Sequence, residues 1–171
     1  MISPKKGFIK GLKERNMEGI LKIKPNYLIG SILILEIVLQ LCGENYNFKP
    51  LYSSIYLIII GSIIAISGIM LHIFCHRYHI EAHKTSDSID TIVTSGIFSK
   101  IRHPMYLSII MISWGLYIAW NFIVTLPIPI FLAILVLFIA NKEEQYLLKK
   151  TGSKYKEYQN SVRWMFFPGI F

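Results

Sequence analysis

The 171-residue chain is 53% hydrophobic and only 16% charged, against about 25% charge in ordinary soluble domains, and its net charge is +8. The charges avoid long tracts: Glu36 alone lies between Pro25 and Gly43, and none lies from Leu51 to Phe74 or from Pro104 to Ala140. This excludes an ordinary soluble domain, and it assigns the excess Lys and Arg to membrane surfaces rather than to nucleic acid, because basic residues beside apolar segments set topology and meet anionic headgroups.

Residues 1 to 24 carry seven Lys and Arg against Glu14 and Glu18. They read either as a surface-lying helix, with Phe8, Ile9, Leu12, Met17, Ile20 and Leu21 as an incomplete apolar face, or as a basic tail. Both readings place this end in the cytoplasm. "NYLIGSILILEIVLQLCG" is the first predicted span, followed by a short outer loop from Gly43 to Pro50. "LYSSIYLIIIGSIIAISGIMLHIF" is the second, with Gly61, Ser62, Ser67 and Gly68 small enough to admit a close neighbour.

From the end of that span into the cytoplasmic stretch after it, His72, His76, His79 and His83 fall at spacings of four, three and four, one stripe of a helix. The Glu needed for a His-Glu-x-x-His zinc motif is misplaced, so structural imidazoles at a headgroup boundary are expected and no metal site is assigned. From Pro104 the apolar sequence runs to Ala140, too long for one ordinary span. "AWNF" divides it into a tight hairpin, with a third span to about Ala119 and a fourth from about Phe122 that Pro127 and Pro129 are expected to kink. The fold class is therefore all-α: an integral membrane bundle of about four helices, both termini cytoplasmic. It forms one domain over 1–171, comprising a basic segment (1–26), the bundle (27–140, including a linker at 75–103) and a cytoplasmic pocket segment (141–171).

Two constellations flank the hairpin. The first is Gly96, Arg102, His103, Pro104 and Tyr106, in "SGIFSKIRHPMY". Pro104 suits the first turn of a helix, and Arg102 offers a rigid fork for carboxylate or phosphate. Interface anchoring explains the same residues, and chemistry alone does not separate the two. The second is Glu143 and Glu144, directly after the last apolar run, followed by Gly152 as a helix stop, then Tyr155, Tyr158 and Arg163. Surface charge balance explains one of these glutamates more easily than two.

Together, in this order, the two blocks resemble the integral-membrane methyltransferases related to isoprenylcysteine carboxyl methyltransferase and the phospholipid N-methyltransferases, over roughly residues 68 to 168. The resemblance implies S-adenosylmethionine as cofactor and a lipid-like or prenylated acceptor entering from the bilayer. It implies Arg102, His103 and Glu144 as catalytic residues, with Gly96, His103, Pro104, Tyr106, Glu143, Glu144, Tyr155, Tyr158 and Arg163 around the cofactor. Ile97-Phe98 replaces the Pro-Tyr often found after the glycine, and Ser108 replaces a glycine after the motif tyrosine. Carboxyl O-methylation is the expected chemistry, with phospholipid amine N-methylation, an NADPH-dependent membrane reductase and a non-enzymatic scaffold as alternatives.

Overall fold

The computed structural model describes residues 25–43, 45–78 and 94–169. The basic first segment, His79, His83 and most of the linker after Tyr78 lie outside the described residues. Among the described residues five α-helices follow one another: α1 (Pro25–Gly43), α2 (Ile55–Tyr78), α3 (Pro104–Trp120), α4 (Pro127–Thr151) and α5 (Ser153–Ser161). Single 3-10 turns at Gly96–Ser99 and Ile123–Thr125 lead into α3 and α4. Among the described residues there is no strand, only an isolated bridge between Pro50 and Phe122.

Among the described residues two segments, Ile55–Arg77 and Ile123–Thr151, are long and apolar enough to cross a membrane. Only 17% and 33% of their apolar windows are buried inside the protein, so neither is the core helix of a soluble fold. The outward faces of α1, α2 and α4 present Ile34, Leu41, Ile63, Met70, Phe131 and Ile134 to the surroundings, as a lipid-facing surface requires. The architecture is that of a helical membrane protein.

The hairpin turn lies where "AWNF" places it. Asn121 caps α3 in the left-handed conformation at φ 56°, a geometry Asn tolerates, and its N–H bonds back to the Tyr117 carbonyl. The loop after α1 secures this turn: Leu51 N–H donates to Asn121 O at 2.9 Å, and Asn121 Nδ2 donates to Tyr52 O at 3.2 Å. The expected proline kink is not needed. Pro127 opens α4 and Pro129 sits in its first turn, where the missing N–H groups have no intrahelical partner to lose.

Helix α3 is the central element, touching α1, α2 and α4. Its closest partner is α2, and small residues explain the contact. A Cβ added at Gly115 would lie 2.5 Å from Ala65 N and 2.7 Å from Gly61 O, and one at Gly68 would lie 2.9 Å from Ser108 O. The pairs 61 with 115 and 68 with 108 run in opposite directions, so the two helices are antiparallel. Three polar links join the helices within this apolar setting. Ser113 Oγ donates to Glu36 Oε2 at 2.6 Å, Gln40 Nε2 donates to Thr125 Oγ1 at 3.1 Å, and His72 Nδ1 lies 3.0 Å from Ser108 Oγ. Ser108 gives its own hydrogen to Met105 O, so Nδ1 is the donor to it.

Candidate functional site

Helix α4 carries the two glutamates past its apolar part without interruption. From Ile123 to Glu143 the chain rises about 30 Å, the thickness of a hydrocarbon core, so the carboxylates arrive at one end of the bundle. The start of α3 reaches the same end. Just before it, Arg102 N–H donates to Trp164 O at 2.9 Å and His103 N–H to Met165 O at 3.0 Å. This two-rung pairing straps the chain after α5 across the entrance to α3. Pro104 follows at the first helical position, as its fixed φ and missing N–H favour.

Arg102, His103 and Glu144 meet here. Arg102 Nε donates to Glu144 Oε1 at 2.6 Å, and His103 Nε2 lies 3.1 Å from the same oxygen. A carboxylate only accepts, so His103 holds a hydrogen on Nε2. Gln159 Nε2 donates to the other oxygen, Oε2, at 2.8 Å. Arg102 also gives Nη1 to the carbonyls of Val162 at 2.8 Å and Arg163 at 2.6 Å. The side chains of Arg102 and Glu144 are only 11% and 10% exposed, so the pair is largely desolvated. The carboxylate that Arg102 clamps is thus one of the chain's own.

Around this centre lie the aromatic residues. Tyr106 O–H donates to Glu143 Oε2 at 2.9 Å, and its ring stacks on His103 with centroids 5.5 Å apart. Phe166 covers the imidazole from another side. Tyr155 and Tyr158, three residues apart on α5, turn the same way and pack with Leu147 and Val162. Gly152 at φ 60° makes the break between α4 and α5 that lets them fold back. Tyr158 O–H donates to Phe98 O at 2.7 Å. Burial pushes its phenol up to about 12, with Arg102 opposing and Glu144 adding to the rise. Burial, then the charges of Glu144 and Glu143, pushes Tyr155 higher still, so both phenols stay neutral donors at physiological pH. Tyr158→Phe should cost about 1 kcal/mol of stability through loss of its hydrogen bond, read by thermal unfolding in detergent.

Eight of the expected residues therefore gather: Arg102, His103, Pro104, Tyr106, Glu143, Glu144, Tyr155 and Tyr158. Gly96 stands beside them at φ 62°, opening the 3-10 turn that presents the Phe98 carbonyl to Tyr158. Arg163 departs from expectation. Its carbonyl joins the cluster, but its side chain is exposed and lines a cleft with Lys100. Gln159 was missed. The available signal was its place four residues after Tyr155, on the face that carries both tyrosines. Among the described residues, no three His, Cys, Asp or Glu side chains converge as metal ligands.

A family described as "protein of unknown function (DUF1295)" matches residues 24–162, most of the chain. The chain is 28% identical over 141 residues to protein-S-isoprenylcysteine O-methyltransferase of Saccharomyces cerevisiae, an alignment covering 73% of this chain and 57% of the yeast protein. It thus spans a little over half the length of that relative. No solved structure matches the chain. The chain belongs to the DUF1295 family.

Proposed function

We propose that this DUF1295 family member is an S-adenosylmethionine-dependent membrane methyltransferase that methylates the carboxylate of a lipid-like, isoprenylcysteine-type acceptor. The observation that carries the reading is the desolvated Arg102–Glu144–His103 centre with Tyr106–Glu143 beside it, on a chain similar to a protein-S-isoprenylcysteine O-methyltransferase. In this reading α1 to α4 are four spans, both termini and the site face the cytoplasm, and residues 1–171 form one domain. The short α3 fits because it is enclosed by the others, while the basic residues cluster before α1 and from Lys142 to Lys156.

The residues suit a cationic methyl donor. Glu143 is half-buried and has Oε1 uncommitted among the described residues, an acceptor for an ammonium or ribose hydroxyl. Tyr106, partly exposed beside Glu143, offers an aromatic face of the kind a positive sulfur favours. S-adenosylmethionine, when bound, would supply an electrophilic methyl carbon, activated because the C–S electron pair can leave with the positive sulfur. The chain's own work is holding and drying. Glu144, fixed by three donors, sets the orientation of His103, and the strap pins the entrance of α3. A carboxylate acceptor is already ionised at pH 7, so no strong base is required. Arg102 acts through Glu144 and the strap, as a positioning residue.

The test is transfer of labelled methyl from S-adenosylmethionine, by purified protein in lipid, to prenylcysteines, ethanolamine lipids or small thiols. Label on prenylcysteines is expected; label on ethanolamine lipids alone would replace the acceptor with an amine, and oxidation of NADPH without any transfer would overturn the reading. Arg102→Lys is expected to cost at least about tenfold in kcat, with acceptor KM nearly unchanged, because one ammonium cannot reproduce bonds from Nε and Nη1 at once.

A further inference from the structure

On the outer side of the strap, the turn before α3 and the chain after α5 enclose an open cleft of about 380 Å³. Ser99, Lys100, Ser161, Arg163, Trp164 and Pro168 line it. The two serines have spent their hydrogens on backbone: Ser99 Oγ donates to Gly96 O at 2.7 Å and Ser161 Oγ to Tyr158 O at 2.9 Å. The side-chain donors left to the cleft are the Lys100 ammonium, the Arg163 guanidinium and the Trp164 indole N–H.

Lys100 and Arg163 are both exposed, and among the described residues neither pairs with a carboxylate, nor does any carboxylate line the cleft. Arg102, only two residues from Lys100, contrasts with them: its charge is consumed by Glu144. Two cations with no carboxylate partner among the described residues, on the wall of one concavity, raise the local concentration of anions. The position narrows the source of the anion. The cleft is level with the first turn of α3, where the apolar sequence begins, and Phe167 beside it is exposed. Trp, Lys and Arg at such a boundary place their polar ends among headgroups while their apolar parts lie along the hydrocarbon. The volume falls within the range of small-molecule sites, several times that of one water and open at one side.

We infer that Lys100 and Arg163, with Trp164, form a docking cleft for the anionic headgroup of a membrane phospholipid. The ammonium and guanidinium take the phosphate oxygens, and the acyl chains leave past Phe167 into the bilayer. This inference does not depend on methyl transfer. It requires only that the start of α3 lies at a membrane surface, and its test reads binding rather than turnover.

The full chain in detergent is equilibrated with equal amounts of phosphatidylglycerol and phosphatidylcholine, and lipid retention is measured by native mass spectrometry. Wild type is expected to prefer phosphatidylglycerol at least about tenfold, the scale set by two surface cations on one anionic headgroup. The Lys100→Gln/Arg163→Gln double variant should lose that preference, while Lys100→Arg/Arg163→Lys should keep it. Both positions are exposed, so thermal unfolding should be unchanged in either variant. An undiminished preference in the glutamine variant would overturn the assignment. Displacement of the lipid by equimolar inorganic phosphate would make a free anion the ligand and overturn the lipid source. Displacement by S-adenosylmethionine would make the cleft part of the donor site and overturn the inference as well.

Discussion

Glu144→Ala should lower stability by about 3–5 kcal/mol, because it leaves Arg102 as a buried charge without its partner. The same change strips acceptors from His103 Nε2 and Gln159 Nε2, so three donors on two segments, the entrance of α3 and α5, lose one anchor together. Thermal unfolding in detergent, supported by SDS titration of the reconstituted protein, measures the loss. Glu144→Gln should fall between wild type and alanine, since its amide oxygen still accepts but carries no charge. The double variant Arg102→Met/Glu144→Leu separates structure from chemistry. Replacing a buried ion pair with packed apolar residues often restores stability. It should recover the part of the loss that comes from the unpaired Arg102 charge, while His103 Nε2 and Gln159 Nε2 stay without their acceptor and methyl transfer stays abolished. An alanine variant as stable as wild type would mean that the pair is hydrated and adds little, as exposed pairs do.

The elements that local sequence determines were legible. Charge-free tracts mark the apolar helices, Asn121 falls in the turn that splits the long run, and Gly152 ends α4. The gathering of the "IRHPMY" and "KEEQ" blocks also followed, because a hairpin returns α4 to the end at which α3 began. What escaped was set by tertiary pairing. Arg102 reads equally well as a ligand clamp or an anchor, and only the strap shows that Glu144 takes its Nε and the carbonyls of Val162 and Arg163 take its Nη1. Arg163 follows from the same geometry: pairing of 102 and 103 with 164 and 165 fixes its carbonyl inward and leaves its side chain outside. Glu36, in sequence only the single charge of the first span, is fully buried and accepts from Ser113 on α3. The prolines misled for a local reason, since one or two residues of shift in a helix start turns a kink into a favourable first turn.

Gly115→Leu should be the most damaging single change outside the site. Helices α2 and α3 approach so closely that Gly115 faces backbone, Ala65 N and Gly61 O, rather than a side chain able to rotate away. Any Cβ there forces the two helices apart along the whole contact, and a leucine also needs room for three further carbons. Overpacking against movable side chains costs about 1–3 kcal/mol; against backbone the loss should reach at least about the top of that range, seen as a large drop in thermal stability or failure to assemble. Gly30→Ala is the matched control. A Cβ at Gly30 meets nothing within 4 Å, and alanine in a helix interior is favoured over glycine by about 1 kcal/mol, so that variant should be neutral or slightly stabilised. The damage should extend to the site, because α3 carries Tyr106 and follows directly on Arg102 and His103, whereas Glu143 and Glu144 belong to α4. Separating α2 from α3 tilts α3 against α4, and the Tyr106–Glu143 and His103–Glu144 contacts are the ones such a tilt stretches. A Gly115→Leu protein that kept wild-type stability would mean that the helices cross more loosely than their glycines indicate, and that α3 is held in place by α1 and α4 instead.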